Sequence, residues 1–153
     1  MCSIALCLYQ TMKVNVMQME TFFRNYERYN NHGEIDVLVS QFADVFMVAG
    51  APGAKTVQVN AFAHALPGRK KLFNEMGCQS TKLTSLRETK MNDQYVMAET
   101  EWQMTFTQTE KSPSEIRVVS TFIVYTGGEQ PKIVFYLPHH DVMAVLRERG
   151  IGV

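Results

Sequence analysis

The stretch Gln94–Phe106, QYVMAETEWQMTF, alternates between two kinds of residue along its whole length. One row is largely apolar and consists of Val96, Ala98, Thr100, Trp102, Met104 and Phe106. The other row is mixed and consists of Tyr95, Met97, Glu99, Glu101, Gln103 and Thr105. Because side chains alternate across a β-strand, a period of two predicts a strand with one apolar face. We expect the long central strand of a curved sheet, with the only tryptophan on its inner face.

The chain around this stretch predicts further strands and a closing helix. Turn residues separate three other β-prone segments, which are Ser80–Lys90, Glu115–Tyr125 and Lys132–Tyr136. Asp141 is a suitable N-cap for a last helix over Val142–Arg149, which Gly150 ends. The second half of the chain is therefore predicted to be mostly antiparallel sheet.

The first half predicts helices. Apolar residues at three- and four-residue spacing favour a helix over Val16–Asn31, and a short one follows from Glu34 to about Ser40. Val45–Ala49 is β-prone and ends in the turn Gly50–Gly53. A third helix is expected from an N-cap at Asn60, with a break at Pro67-Gly68 and a continuation from Arg69 to Gly77. Helices first and strands after is the order of an α+β fold with helices on one face of the sheet.

Composition excludes several classes of function. Lys and Arg together number 15, as do Asp and Glu, and no basic block favours nucleic-acid binding. The three cysteines lack metal-site spacing, so we expect no disulfide, no metal and no cofactor, in a protein of the reducing cytoplasm. The apolar run near the N-terminus is too short to span a bilayer, and no membrane partner is expected.

One domain is expected over residues 16–150. Residues 1–15 are expected to be a flexible N-terminal extension, with translation starting at Met12 or Met17 as the alternative to Met1.

Two segments resemble a known superfamily. NYERYNNHGEIDVLVSQFADV at residues 25–45 resembles the opening of nuclear-transport-factor-2-like proteins, and KIVFYLPHHDVMAVLRERG at residues 132–150 resembles their close. SnoaL-like polyketide cyclases, ketosteroid isomerases and limonene-epoxide hydrolases belong to this superfamily. The resemblance implies a SnoaL-like domain, a cone of helices closed over a strongly bent mixed or antiparallel sheet. One fold of this kind hosts many functions.

The resemblance also implies which catalytic groups are present. Tyr26 matches the tyrosine that isomerase-type members use as an oxyanion donor. The position of their general base falls at about Gly50, and that of their second acid donor falls at Ser120. The segment Leu137–Asp141 lacks the arginine and the first aspartate of the epoxide-hydrolase pattern. The resemblance therefore argues against both of these reactions.

Strand parity, counted outward from Trp102, predicts the lining of a pocket. The inner rows are expected to be Ile116, Val118, Ser120, Phe122 and Val124 on one strand and Val134, Tyr136 and Pro138 on the last. Apolar surface with a few hydroxyls is typical of small-molecule sites. The predicted ligand-binding residues are Tyr26, Trp102, Met104, Ser120, Phe122 and Tyr136. The alternative is that these residues form a solid core.

Two histidines are the candidates for acid–base work. His139 and His140 are adjacent in an extended segment, so their side chains diverge and cannot chelate one metal ion. Parity puts His140 at the mouth of the cavity, and His64 lies on the third helix. The alternatives are an exposed strand end for His140 and a structural, partly buried role for His64.

The charged side chains are interpreted as surface groups. Glu99 and Glu101 belong to the outer row, where Arg117 can form an ion pair and Tyr125 is a neighbour. Asp44 matches a structural element of the superfamily. The run Arg69-Lys70-Lys71 is expected to be a solvated helix face.

Three functions remain open from sequence. The first is a SnoaL-like protein that binds a small apolar molecule in the cone. The second is an isomerase, cyclase or dehydratase that uses His140 or His64 as base and Tyr26 as donor. The third is a non-catalytic dimeric interaction module. A homodimer is expected because the outer face carries Val119, Thr121, Ile123, Tyr125, Phe135 and Leu137.

Overall fold

A computed structural model describes residues 19–152, which form four helices and one six-stranded sheet. The predicted extension at residues 1–15 lies outside the described residues. The helices are α1 at residues 19–32, α2 (Ile35–Val39), α3 (Val59–Glu75) and α4 (Val142–Glu148). The strands are β1 (Phe42–Gly50), β2 (Gly53–Gln58), β3 (Cys78–Lys90), β4 (Tyr95–Phe106), β5 (Ser114–Tyr125) and β6 (Lys132–Pro138). No helix among residues 19–152 has the length and apolar character needed to span a membrane.

The sheet is mixed, with the strand order β2-β1-β6-β5-β4-β3. β1 and β6 run parallel to each other, and every other pair of neighbours is antiparallel. The helices that precede and follow the strands pack on the sheet's inner face, whose side chains join theirs in one apolar core. The predicted α+β class is therefore confirmed.

Burial alternates without exception along β4, as the central stretch predicted. Every member of the inner row is buried, and every member of the outer row is partly exposed. The polar groups of the inner row are satisfied locally, since the indole Nε1 of Trp102 donates to Thr100 Oγ1 at 2.8 Å. The Thr100 hydroxyl in turn donates to the carbonyl oxygen of Ser120 at 3.1 Å. This chain of hydrogen bonds lets the row be fully buried without an unpaired polar group.

Helix α1 covers the inner face and also satisfies the free edge of β3. The ring of Phe23 is fully buried, 5.1 Å from the ring of Phe122. The Asn31 amide exchanges two hydrogen bonds of 2.8 Å with the backbone of Thr81, as a neighbouring strand would. Glu27 accepts a hydrogen bond from the backbone nitrogen of Leu83 at 2.9 Å. An edge strand exposes unpaired backbone groups, and here side chains of a helix bind them.

The third helix differs from its prediction in two ways. It begins after Gln58 rather than at an N-cap on Asn60, and it continues through Pro67 without a break. Proline removes one backbone hydrogen bond inside a helix, at a cost of about 3 kcal/mol. Phe62 before the proline and Phe73 after it both pack against the apolar core, and this packing offsets the loss.

Two features of the sheet also differ from expectation. Strand β2 was not predicted, because five of its six residues are exposed and it shows no apolar alternation. On β6, the fully buried residue is Ile133 rather than Val134. The register with β5 shifts between Ile123 and Val124, which leaves Val134 as an extra residue. Because of this extra residue, the side chains that precede it on β6 point to the face of the sheet opposite to the predicted one.

The burial of Trp102 generates a stability prediction. Its side chain is only 5% exposed, so Trp102→Ala should lower the free energy of unfolding by about 3–5 kcal/mol. Trp102→Phe keeps most of the ring packing and should cost about 1–2 kcal/mol, including the lost hydrogen bond. Urea denaturation followed by circular dichroism measures both. A loss below about 1 kcal/mol for Trp102→Ala would mean that the indole is not packed in the core.

Candidate functional site

A cavity of about 630 Å³ lies between the helices and the inner face of the sheet. It is open to solvent on one side, and its lining comes from all four helices and from five of the six strands. The lining includes all of the predicted ligand-binding residues, namely Tyr26, Trp102, Met104, Ser120, Phe122 and Tyr136. Their position is therefore as expected, while their role in binding stays a prediction.

An aromatic cluster forms the apolar part of the cavity. The ring of Tyr26 lies 5.5 Å from that of Trp102 and 5.8 Å from that of Phe122, measured between centroids. Tyr136 stacks on Phe122 at 4.9 Å. Phe42 links this cluster to Phe62 on α3 at 4.6 Å. Contacts of this kind fix the rings and give the cavity a preformed shape.

Tyr26 is the polar group best placed to act on a ligand. Burial raises the pKa of the Tyr26 phenol above its ordinary value, nearby Tyr136 raises it further, and Arg69 opposes the rise. The hydroxyl is therefore a neutral hydrogen-bond donor at physiological pH. No hydrogen bond joins it to another group within residues 19–152. The resemblance in sequence implied a donor at this position, and the side chain does face the cavity.

The four histidines occupy different environments. His140 is exposed and lines the mouth of the cavity, as parity predicted. His139 points elsewhere and its Nε2 lies 2.7 Å from the Thr121 hydroxyl. His64 is exposed and does not line the cavity, so it is not placed to act on a molecule bound there. His32, which sequence reasoning did not single out, lies at the rim.

Carboxylates are absent from the lining of the cavity within the described part of the chain. Glu101 forms an ion pair with Arg117 at 2.9 Å on the outer face, as predicted, and Glu99 pairs with Arg87. Asp44 is exposed and outside the cavity. Gly50 lies at the tip of the β1–β2 hairpin, opposite Gly53. No group of three or more potential metal ligands occurs among residues 19–152.

The basic run on α3 is solvated as predicted at Arg69 and Lys71, but two of its three side chains also line the cavity. Arg69 and Lys70 belong to the lining, and the Lys70 ammonium donates to the carbonyl oxygen of Asn30. Lys71 is exposed and outside this cavity, with its ammonium 3.9 Å from the Glu75 carboxylate.

The spacing along α3 could have revealed the position of Arg69. Phe62, Leu66, Arg69 and Phe73 follow one another at intervals of four, three and four residues, which is one face of a single helix. The expected break at Pro67 hid this pattern.

Comparison of the sequence with models of protein families finds no match, and comparison with the sequences of characterised proteins finds none either. Comparison of the structure is informative. A nuclear-transport-factor-2-like protein with a cystatin-like fold from Novosphingobium aromaticivorans superposes with a TM-score of 0.75. The two chains are 10% identical, and the match covers 95% of this chain and 97% of that one.

The chain has the nuclear-transport-factor-2-like fold. A proposed scytalone dehydratase from the same organism matches at a TM-score of 0.68 and 14% identity, over 85% of this chain and 86% of that chain. The beta subunit of the benzoate 1,2-dioxygenase from Burkholderia mallei matches at 0.60 and 12% identity, over 78% of this chain and 86% of that chain. Identities this low establish the shared fold alone, and the fold serves proteins of different function.

The raised pKa of Tyr26 predicts a pH dependence of stability. An unfolded chain releases this phenolic proton from pH 10.0 upward, whereas the folded protein retains it to a higher pH. Stability due to this group is thus complete below pH 10.0 and is lost as the pH rises further. The loss between pH 8 and 11 should be smaller in Tyr26→Phe by about 1.4 kcal/mol.

Urea denaturation at several pH values measures this difference. Tyr95→Phe on the outer face is the matched control for removal of one hydroxyl. Identical pH dependence in the wild type and Tyr26→Phe would show that water reaches the phenol freely.

Proposed function

We propose that this protein binds a small, mostly apolar molecule in the cavity between its helices and the inner face of its sheet. The observation that carries the proposal is the cavity itself, of about 630 Å³, with an aromatic lining. Small-molecule sites typically have volumes of about 300–1,000 Å³ and few polar groups. The ligand's body packs against the rings of Trp102 and Tyr136.

The Tyr26 hydroxyl supplies orientation in this proposal. It is a neutral donor on a half-buried side chain that lines the cavity, so it can donate a hydrogen bond to an acceptor on the ligand. A carbonyl or hydroxyl oxygen on the ligand fits this role. The Tyr26 ring lies beside Trp102, so a hydrogen bond from Tyr26 fixes one end of the ligand against the inner face of β4.

A second candidate is an enzyme of the isomerase, cyclase or dehydratase type. It is favoured by the position of His140, which lines the same cavity as Tyr26, because an imidazole can serve as a general base. The fold shared with a proposed scytalone dehydratase is in line with this candidate. In such an enzyme His140 removes a proton from the ligand and Tyr26 stabilises the developing oxyanion. Turnover that survives in His140→Ala would refute this assignment.

A homodimer through the outer face of the sheet accompanies both candidates. Val119, Ile123 and Tyr125 on β5 are partly exposed there, beside Phe135 and Leu137 on β6. Neighbouring Met47 on β1, which pairs with Phe135, is 40% exposed. A contiguous apolar surface of this kind favours contact with another protein surface. In this proposal the cytoplasmic protein has neither nucleic acid nor a membrane as its partner.

Ligand binding is tested first by native mass spectrometry of freshly purified protein, which detects a co-purified molecule. The role of Tyr26 is tested by calorimetry with 2-acetonaphthalene and 2-ethylnaphthalene, which differ by one carbonyl oxygen. Tyr26→Phe should weaken the ketone by about 0.5–1.5 kcal/mol and leave the hydrocarbon unchanged. Tyr95→Phe is the control outside the cavity. Equal losses for both probes, or none, would contradict a hydrogen bond from Tyr26.

The dimer is tested by sedimentation equilibrium at micromolar concentration, where twice the chain mass of 17.4 kDa is expected. Ile123→Arg should convert the protein to monomer, because a charge at the centre of an apolar contact is costly to desolvate. Val37→Arg is the control, since Val37 is an exposed apolar residue on α2, away from the sheet. A wild-type protein that sediments only as the 17.4 kDa species would refute the dimer.

A further inference from the structure

The fixed charges around the cavity are all of one sign within the described part of the chain. Arg69 and Lys70 line the cavity, and no aspartate or glutamate does. This arrangement is not a property of the whole chain, which has 15 basic and 15 acidic residues. The carboxylates closest along the central strands, Glu99 and Glu101, are paired with arginines on the opposite face of the sheet.

The two cations differ in the contacts that they make with the rest of the protein. The Lys70 ammonium donates to the Asn30 carbonyl and so links α3 to α1. Arg69 forms no ion pair with any residue between 19 and 152, and its guanidinium lies 5.3 Å from the centre of the Phe73 ring. A guanidinium placed over a ring face makes a cation–π contact and keeps N–H groups for another partner. The Phe73 ring therefore holds the Arg69 side chain in place, while its N–H groups can bind a ligand.

The field of these cations reaches the groups inside the cavity. Burial raises the pKa of Tyr26, and Arg69 opposes that rise. Burial also raises the pKa of the Cys78 thiol, another lining residue, and Lys70 opposes it. Arg69 and Lys70 oppose these rises in pKa because a nearby positive charge stabilises the anionic form of a group. The same charges favour an anion at the cavity wall, where the dielectric constant is lower than in water.

We infer that the natural ligand of this cavity is an aromatic or alicyclic anion, with a carboxylate held by Arg69 and an apolar ring system packed on Trp102 and Tyr136. This inference rests on the proposed function and adds the charge and chemical class of the ligand. An arginine presents paired N–H donors that match the two oxygens of a carboxylate. The aromatic lining accommodates the rings, and the absence of carboxylates among the described lining residues removes any repulsion.

The direction of entry follows from the exposure of these groups. Arg69 is exposed and lies at the rim, whereas Trp102 is buried at the inner face. The ring system therefore enters first and the carboxylate stays near the opening. Water around the carboxylate reduces the cost of its desolvation, so the anion gains from Arg69 without full burial.

A charge series on one ring system tests the inference. Calorimetry at pH 7.5 and low salt compares 2-naphthoate, 2-naphthalenemethanol and 2-naphthylmethylammonium, which carry a negative, a zero and a positive charge. The anion should bind about tenfold more tightly than the alcohol, as expected for one charge-assisted hydrogen-bonded pair, and the cation more weakly than the alcohol. High salt should reduce the preference.

Two variants test whether Arg69 causes the preference for the anion over the alcohol. Arg69→Gln should bring the affinity for 2-naphthoate down to that for the alcohol and leave the alcohol's affinity unchanged, which also reports an intact cavity. Lys71→Gln removes the same charge from the adjacent, solvated position and should change neither affinity.

The outcomes separate this inference from the proposal on which it rests. Equal wild-type affinity for the anion and the alcohol, or a preference that persists in Arg69→Gln, overturns the anionic ligand but retains an apolar binding site. Failure of all three probes to bind overturns the binding site itself.

Discussion

The contact between α1 and the inner face of β4 and β5 is the interaction on which the remaining structure depends. Phe23 packs on Phe122, and Tyr26 packs on Trp102. The same helix binds the backbone of β3 through Glu27 and Asn31. One element therefore covers the sheet and satisfies its free edge. An open cavity remains between the helices and the inner face of the sheet.

The sequence predicts the parts of the fold whose side chains follow a simple period. The strict alternation from Tyr95 to Phe106 is sufficient to identify β4 and its buried face. Asp141 caps α4 as expected, since its side chain accepts a hydrogen bond from the Ala144 nitrogen at 3.1 Å. Both signals are local, and local signals persist when the rest of the chain folds.

The failed predictions have nonlocal causes. β2 is stabilised by pairing with β1 and not by burial of its own side chains, so its sequence carries no apolar period. α3 tolerates Pro67 because contacts on both sides of the proline hold the helix to the core. The bulge at Val134 depends on the register with β5. For the site, these errors mattered most on α3, where they concealed Arg69.

The site joins an apolar interior to a cationic rim. In the proposed binding mode, Trp102 and Tyr136 would supply nonspecific affinity through buried area, whereas Tyr26 and Arg69 would supply direction through hydrogen bonds. The fold itself does not decide between binding and catalysis, since it is compatible with many functions. What distinguishes this chain is the set of polar groups that face the cavity.

In the proposed function, small molecules reach the inner row of β4 through the open side of the cavity. The only tryptophan of the chain, Trp102, reports this directly through its fluorescence when excited at 295 nm. Heavy-atom quenching requires contact, so titration with 4-bromobenzyl alcohol should quench Trp102 in a saturable manner. N-acetyltryptophanamide in the same buffer gives the collisional reference. Quenching that is absent, or that stays linear in concentration like the reference, would contradict an accessible binding cavity.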